Sequence, residues 1–177
     1  MAALALQFIA SHYGWLFVIG RRISKCWMLD AECWMLGVAQ MIAGTSAAII
    51  LAALGAVHVY WALGGKVGKG SAIPTRDGVP VLCPGILGTL FVAAVLFAMA
   101  ALLATRTGWF PLSAFSGATR TATWLVAAVF GLRAIGDFRY IGFLKSVRDS
   151  RFARLDTLIY SPLCVLLALL SGLAALS

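Results

Sequence analysis

The stretch RAIGDFRYIGFLKSVRDSRFARLDTLIYSP, residues 133–162, decides the fold. An apolar helix ends in it with Arg133 and Asp137. A basic and aromatic loop follows, and Asp156 and Pro162 then open the next apolar run. We interpret the rest of the chain as a frame that holds this stretch at one boundary between water and lipid.

The composition predicts a membrane protein. The chain has 177 residues, of which 62% are hydrophobic and 11% are charged, and its mean hydropathy is +0.97. A soluble domain has about a quarter charged residues, so this chain cannot cover a globule with a polar surface. Its apolar residues come in runs of about 20, the length that crosses a bilayer. We therefore predict a single all-α membrane domain.

The apolar runs predict a four-transmembrane-helix bundle in residues 37–177, with spans at residues 37–63, 85–105, 121–138 and 156–176. The apolar part of the third span stops at Arg133, which must therefore lie near the boundary, snorkel or pair. Asp137 lies four residues on, on the same helical face. A paired arginine and aspartate cost less inside a membrane than either charge alone.

Residues 1–36 form an extra apolar and basic N-terminal segment. The first apolar run, residues 3–20, lacks the basic leader of a signal peptide, since Arg21 and Arg22 follow it. An extra span, an interfacial helix and a start codon assigned too far upstream remain open as alternatives. We favour a peripheral segment.

The last span contains a proline. A helix that began at Pro162 would be too short for the ~30 Å hydrocarbon core, so we place its start at Asp156, which is a good N-cap. Pro162 then lies inside the helix and releases the carbonyl of Leu158, which predicts a kink. Such irregular backbone is tolerated at membrane depth when it is buried or lines a polar cavity.

Four alternating spans bring the polar residues to one face of the bundle. These residues are His58, Tyr60, Trp61, Arg133, Asp137, Arg139, Tyr140, Asp156, Tyr160 and Ser161. Loops 64–84 and 139–155 on that face contain eight of the 14 basic residues, five others lie outside that face, and the last is Arg133. Because cytoplasmic loops are enriched in lysine and arginine, we predict a multi-pass inner-membrane protein with this face in the cytoplasm.

Three phrases resemble a small bacterial membrane family. They are HVYWALGG (58–65), RAIGDFRYIGF (133–143) and FARLDTLIYSPLC (152–164). The family is domain of unknown function 3995, and the resemblance covers residues 37–177. It implies a four-helix integral membrane protein and supplies no activity, cofactor or catalytic residue.

Several kinds of site are disfavoured. The four cysteines form no CxxC motif and no Cys/His cluster with metal-ligand spacing, so we predict no metal and no cofactor. Haem would have only His12 and His58 as histidine ligands. The phrase GGKVGKGS is similar to a phosphate loop, but Leu63 replaces the required glycine and Gly70 follows Lys69. The basic residues flank spans, so we predict no nucleic-acid partner.

Each candidate residue has a structural and a functional interpretation. Arg133 and Asp137 form either a fold-locking pair or part of a headgroup site with Arg139 and Arg154 as forks. His58 is either a packed, hydrogen-bonded side chain or a proton donor and acceptor. Asp156 caps a helix or partners His58 or an arginine. Four aromatic residues are either interface anchors or ligand-binding residues: Tyr60, Trp61, Tyr140 and Tyr160.

Three functions follow. We favour a non-enzymatic lipid-binding or assembly factor that contacts anionic headgroups, because basic and aromatic interface residues are abundant. The first alternative is a small membrane enzyme that uses His58, Asp137 and Asp156 for proton transfer on a lipid or isoprenoid. The second is a transporter subunit. Homo-oligomerisation is predicted through a row of small residues that allows close helix approach, Gly44, Ala48, Ala52 and Ala56.

Overall fold

The computed structural model describes residues 31–73, 75–76, 79–80, 84–107, 116–136, 141–146 and 150–176. The four long helices within these residues are α1 (Ala31–Ala62), α3 (Ile86–Arg106), α4 (Ser116–Ile135) and α5 (Arg151–Ala175). A short helix and a minimal antiparallel hairpin lie between α1 and α3: α2 (Lys69–Ala72), β1 (Thr75–Arg76) and β2 (Val79–Pro80). The predicted all-α class is confirmed.

Three of the described helices are long and apolar enough to cross a membrane. They cover Trp34–Ala62, Ile86–Arg106 and Arg151–Ala175. The predicted third span corresponds to α4, which is not among them. Its length is sufficient, but Arg120, Arg133 and several hydroxyl side chains lower its hydropathy.

The helices pack in two main pairs, α1 with α3 and α4 with α5, and α1 also packs against α5. Small side chains at the contacts allow these helices to pack closely against each other. A Cβ added at Gly44 would lie 2.8 Å from Thr107 Cγ2 and 3.4 Å from Ala174 Cβ, so the helices meet there almost backbone to backbone. Ala48 and Ala52 pack against the same core. Much of the small-residue row is therefore used within the chain, and oligomerisation through it stays a prediction.

Helix α4 ends earlier than predicted. Gly136 follows its last residue, Ile135, with a left-handed φ of 95°, a conformation that glycine adopts without a steric penalty. The described helix therefore ends two residues before Asp137, and the pairing of Asp137 with Arg133 stays a prediction. Asp137 itself lies outside the described residues.

Helix α5 begins earlier than predicted. Ser150 is its N-cap, and the Ser150 hydroxyl accepts a hydrogen bond from the Ala153 amide at 3.0 Å. The assignment of Asp156 as the N-cap is therefore wrong, since Asp156 already has helical backbone angles. The predicted irregularity before Pro162 is present as a π-helical turn, Asp156–Tyr160, in which the Ser161 amide donates to the Asp156 carbonyl.

The Ser150 cap gives a first prediction. Ser150→Ala removes the acceptor of the Ala153 amide, so we expect the free energy of unfolding to fall by about 1 kcal/mol. Equilibrium unfolding in detergent micelles, followed by tryptophan fluorescence, measures the change. Ser150→Asp keeps an acceptor and should retain the stability; equal losses in both variants would contradict the cap.

Candidate functional site: a buried ion cluster

The centre of the site is the carboxylate of Asp156, whose residue is fully buried. Its Oδ1 accepts from Arg133 Nη2 at 2.9 Å. Its Oδ2 accepts from Lys145 Nζ at 2.9 Å, from the Gly142 amide at 2.7 Å and, at 3.4 Å, from the Ser161 hydroxyl. Two cations and an amide thus surround one carboxylate. We call these five residues the Asp156 cluster.

Lys145 is the second buried charge, with 1% of its side chain exposed. Its ammonium donates to Asp156, to the Gly142 carbonyl at 3.0 Å and to the Thr157 hydroxyl at 2.6 Å. These contacts with described residues tie the strap, through Lys145, to α5.

A segment that folds back on α4 delivers Lys145 to the cluster. In residues 141–146, which we call the strap, the Phe143 amide donates to the Ala134 carbonyl at 2.9 Å. The Leu144 amide donates to the Ile135 carbonyl at 3.3 Å. The strap therefore satisfies carbonyls that the end of a helix leaves without partners.

Two glycines allow this return. Gly136 and Gly142 have φ of 95° and 87°, and a Cβ on Gly136 would overlap the Ile141 carbonyl. A Cβ on Gly142 would overlap the Ile135 carbonyl. The backbones pass too closely for any side chain, so both positions require glycine for space as well as for conformation.

Arg133 is only partly used by the cluster. About a third of its side chain (32%) is exposed, and Nη2 contacts Asp156. Its Nη1 is buried and has no hydrogen-bond partner among the described residues.

A basic surface adjoins the cluster. Helix α2 contacts the first turn of α5, and the Tyr160 hydroxyl donates to the Ser71 carbonyl at 3.3 Å. Trp61 Nε1 donates to the Val67 carbonyl at 2.7 Å and ties the intervening loop to α1. We call the cations on these elements the basic surface; all except the half-buried Lys69 are exposed, and they are Lys66, Lys69, Arg151 and Arg154.

His58 has a separate environment. Its Nδ1 donates to the Leu54 carbonyl at 2.8 Å, and its ring meets Trp61 edge-on with centroids 5.2 Å apart. Among the described residues, no hydrogen bond or ion pair joins His58 to Asp156. The geometry gives His58 the contacts of a packed, hydrogen-bonded histidine.

The structure brings together some of the predicted site residues. Arg133 and Asp156 form an ion pair, which is one of the partners the sequence left open for Asp156. Tyr60 packs on Gly65, where an added Cβ would overlap its ring. Three candidates lie outside the described residues: Asp137, Arg139 and Tyr140. Sequence reasoning missed Lys145, which it counted only among the basic residues of loop 139–155.

A shallow apolar groove of about 370 Å³ lies between α4, the strap and α5. Its lining residues are Gly131, Ala134, Ile135, Phe143, Leu144, Val165, Ala168 and Leu169. The lining suits a hydrocarbon chain and offers nothing for a polar substrate.

The fold and site define an all-helical protein with three membrane-length helices and a buried Arg–Asp–Lys cluster. A family model described as "Protein of unknown function (DUF3995)" matches residues 51–171, a range that includes the strap and the whole cluster. The chain belongs to the DUF3995 family. No curated protein and no solved structure matches the chain. Among the described residues, no group of three or more His, Cys, Asp and Glu side chains could hold a metal ion.

Proposed function

We propose that this chain is a four-span inner-membrane protein that binds anionic lipid headgroups at its cytoplasmic face and has no catalytic role. One observation carries the proposal. Asp156 is buried against Arg133 and Lys145, while three of the four cations of the neighbouring basic surface are exposed. The carboxylate is therefore unable to neutralise the surface cations, which are left to attract anionic lipid.

The same geometry disfavours proton transfer as the function. A general base must reach the proton that it abstracts, directly or through one water. Asp156 is fully buried and both of its oxygens accept hydrogen bonds from cations. His58 uses Nδ1 on a main-chain carbonyl. The enzyme alternative would need these contacts to break, so lipid binding is the better-supported function.

The proposed four-span bundle requires α4 to cross the membrane as its third span. Helix α4 packs along α5, a helix of membrane length, and its Arg133 is paired with Asp156. Pairing reduces the cost of placing an arginine near the end of a span. The basic loops favour a cytoplasmic location for the cluster. A reporter fused after Ser177 should then behave as non-cytoplasmic, and a cytoplasmic signal would overturn the orientation.

The basic surface gives a second prediction. Each lysine or arginine near an anionic membrane contributes about 1 kcal/mol, so replacing both Arg151 and Arg154 by glutamine should weaken binding of phosphatidylglycerol about 30-fold at low salt. Native mass spectrometry of the detergent-solubilised chain, titrated with phosphatidylglycerol and phosphatidylcholine, measures the preference.

The matched control for this experiment is Arg120→Gln. Arg120 is an exposed arginine near the start of α4, which the four-span arrangement places at the opposite face. The control should keep the wild-type preference for phosphatidylglycerol. If the double variant also kept it, or the control lost it equally, lipid binding at the basic surface would be wrong.

A further inference from the structure

The apolar groove between α4, the strap and α5 has a floor of small residues and walls of large ones. Gly131 and Ala168 are half-buried and Ala134 is buried, so these three form the floor. The walls are large apolar residues that are all exposed: Ile135, Phe143, Leu144, Val165 and Leu169. None of the described residues that line the groove has a charged or hydrogen-bonding side chain. Its volume of about 370 Å³ falls within the ~300–1,000 Å³ range of small-ligand sites.

The strap closes one end of the groove. The Phe143 amide donates to the Ala134 carbonyl and the Leu144 amide donates to the Ile135 carbonyl, which fixes both strap residues beside the last turn of α4. Arg133 lies in the same turn and ends the apolar part of the helix. In the proposed four-span arrangement, the closed end of the groove therefore lies where hydrocarbon gives way to headgroups.

From the strap the groove runs along the contact between α4 and α5. Trp124 lies seven residues before Gly131, which is about two helical turns and the same face of α4. The Trp124 indole lies against α5 one turn beyond Ala168, since a Cβ added at Gly172 would be 3.5 Å from Trp124 Cζ3. Seven residues of helix rise about 10 Å, so the direction from the strap to this indole follows the helix axes, as an acyl chain in a bilayer does.

A hydrocarbon chain suits this shape better than another helix does. A helix with its side chains is about 10–12 Å across, and a spanning helix must continue to water on both sides of the membrane. Placed in the groove, such a helix would meet Phe143 and Leu144 at the closed end. An acyl chain is thinner and ends at its ester group, so it can stop at the strap. The floor and walls together give it more dispersion contacts than the surface of a single helix would.

We propose that this groove holds one acyl chain of a membrane phospholipid, with the ester end of the chain at the strap and the methyl end toward Trp124. The groove recognises hydrocarbon, so a neutral phospholipid binds as well as an anionic one. The inference rests on the proposed function in one respect, that α4 crosses the membrane beside α5. It does not depend on headgroup binding at the basic surface.

A zwitterionic probe tests the groove separately from the basic surface. The full-length chain in detergent micelles is incubated with phosphatidylcholine that has a diazirine on one acyl chain, and labelled peptides are mapped by mass spectrometry after photolysis. In the wild type, labelling of residues 131–135 and 165–169 should saturate and should be displaced by unlabelled phosphatidylcholine. Because the probe has no net charge, its binding does not report on the preference for phosphatidylglycerol, and failure of either proposal leaves the other assessable.

A leucine on the floor of the groove provides the test variant. In Gly131→Leu, saturable labelling of residues 165–169 should fall at least about fivefold, because the leucine side chain fills space that the acyl chain would contact. Gly88→Leu is the matched control, since Gly88 is an exposed glycine of α3. At both glycines an added Cβ would meet no heavy atom within 4 Å apart from chain neighbours and the helix's own backbone. The control should be labelled like the wild type, whereas equal labelling of Gly131→Leu would overturn the proposal.

The position of the diazirine gives a measurement on the wild type alone. A diazirine near the ester should label Phe143 and Leu144, and one near the methyl end should label the α4–α5 contact toward Trp124. Labelling that does not saturate, or that is spread equally over the exposed residues of α1 and α3, would show bulk lipid contact and would overturn the proposal. An unlabelled groove would overturn it too, and is the result expected if a second copy or another segment of this chain covers the groove.

Discussion

Asp156→Ala is expected to lower the free energy of unfolding by about 3–5 kcal/mol, the cost of leaving a buried charge without its partner. The Lys145 ammonium, with 1% of its side chain exposed, would lose its counter-ion and could not reach water without displacing the strap. Arg133 would lose its described hydrogen bond, and the Gly142 amide would lose its acceptor. Unfolding in detergent micelles and the yield of monodisperse protein both report the loss.

Two further variants separate charge from packing in this result. Asp156→Asn keeps the shape of the side chain and an acceptor for the Gly142 amide but removes the charge. Its free energy of unfolding should therefore fall by most of the amount expected for Asp156→Ala. Leu158→Ala, on the same helix with 73% of the residue exposed, should change stability little. If Asp156→Ala and Leu158→Ala were equally stable, the cluster would not be the element that holds the strap.

Gly136→Ala is expected to be comparably damaging, about 3–5 kcal/mol, because it displaces the strap and so breaks the same ion cluster. The added Cβ would overlap the Ile141 carbonyl, which is main chain and cannot rotate away. The left-handed φ of 95° adds a penalty of its own, about 1–2 kcal/mol for a residue with a Cβ. The same unfolding experiment measures the loss.

Gly131→Ala is the matched control, because Gly131 lies in α4 five residues before Gly136 and its added Cβ would meet no heavy atom within 4 Å apart from its chain neighbours and its own helix backbone. Alanine is the better helix former, so this variant should be neutral or raise stability by up to about 1 kcal/mol. A Gly136→Ala variant as stable as Gly131→Ala would show that the strap does not return as described.

The helices could be predicted from the sequence because a membrane-length apolar run is a strong signal. Their ends could not. Ser150 and Arg151 lie within a polar stretch, so hydropathy gave no reason to extend α5 over them, although a serine at this position is a good N-cap. At α4 the predicted span ran on to residue 138, because hydropathy does not report that Gly136 turns the backbone left-handed. Local caps and glycine conformations, which hydropathy does not report, decided both boundaries.

One ion pair of the site was among the possibilities that the sequence left open. Alternating spans predicted Arg133 and Asp156 on one side, and the structure joins these two side chains. Lys145 could not be distinguished from the other cations of its loop, because burial of a loop lysine depends on a chain reversal that composition does not reveal. The closest signal is the pair Gly136 and Gly142, which flanks the turn that delivers Lys145 to Asp156.

The most direct test of the central claim, that a buried Asp156–Lys145 pair fastens the strap to α5, is a double-mutant cycle. Unfolding free energies of the wild type, Asp156→Ala, Lys145→Ala and the double variant are compared in one detergent. We predict that the double variant loses at least about 1.5 kcal/mol less than the two single losses combined, because removing both charges leaves neither buried alone. If the loss in the double variant equalled the sum of the two single losses to within about 0.5 kcal/mol, the buried pair would be contradicted.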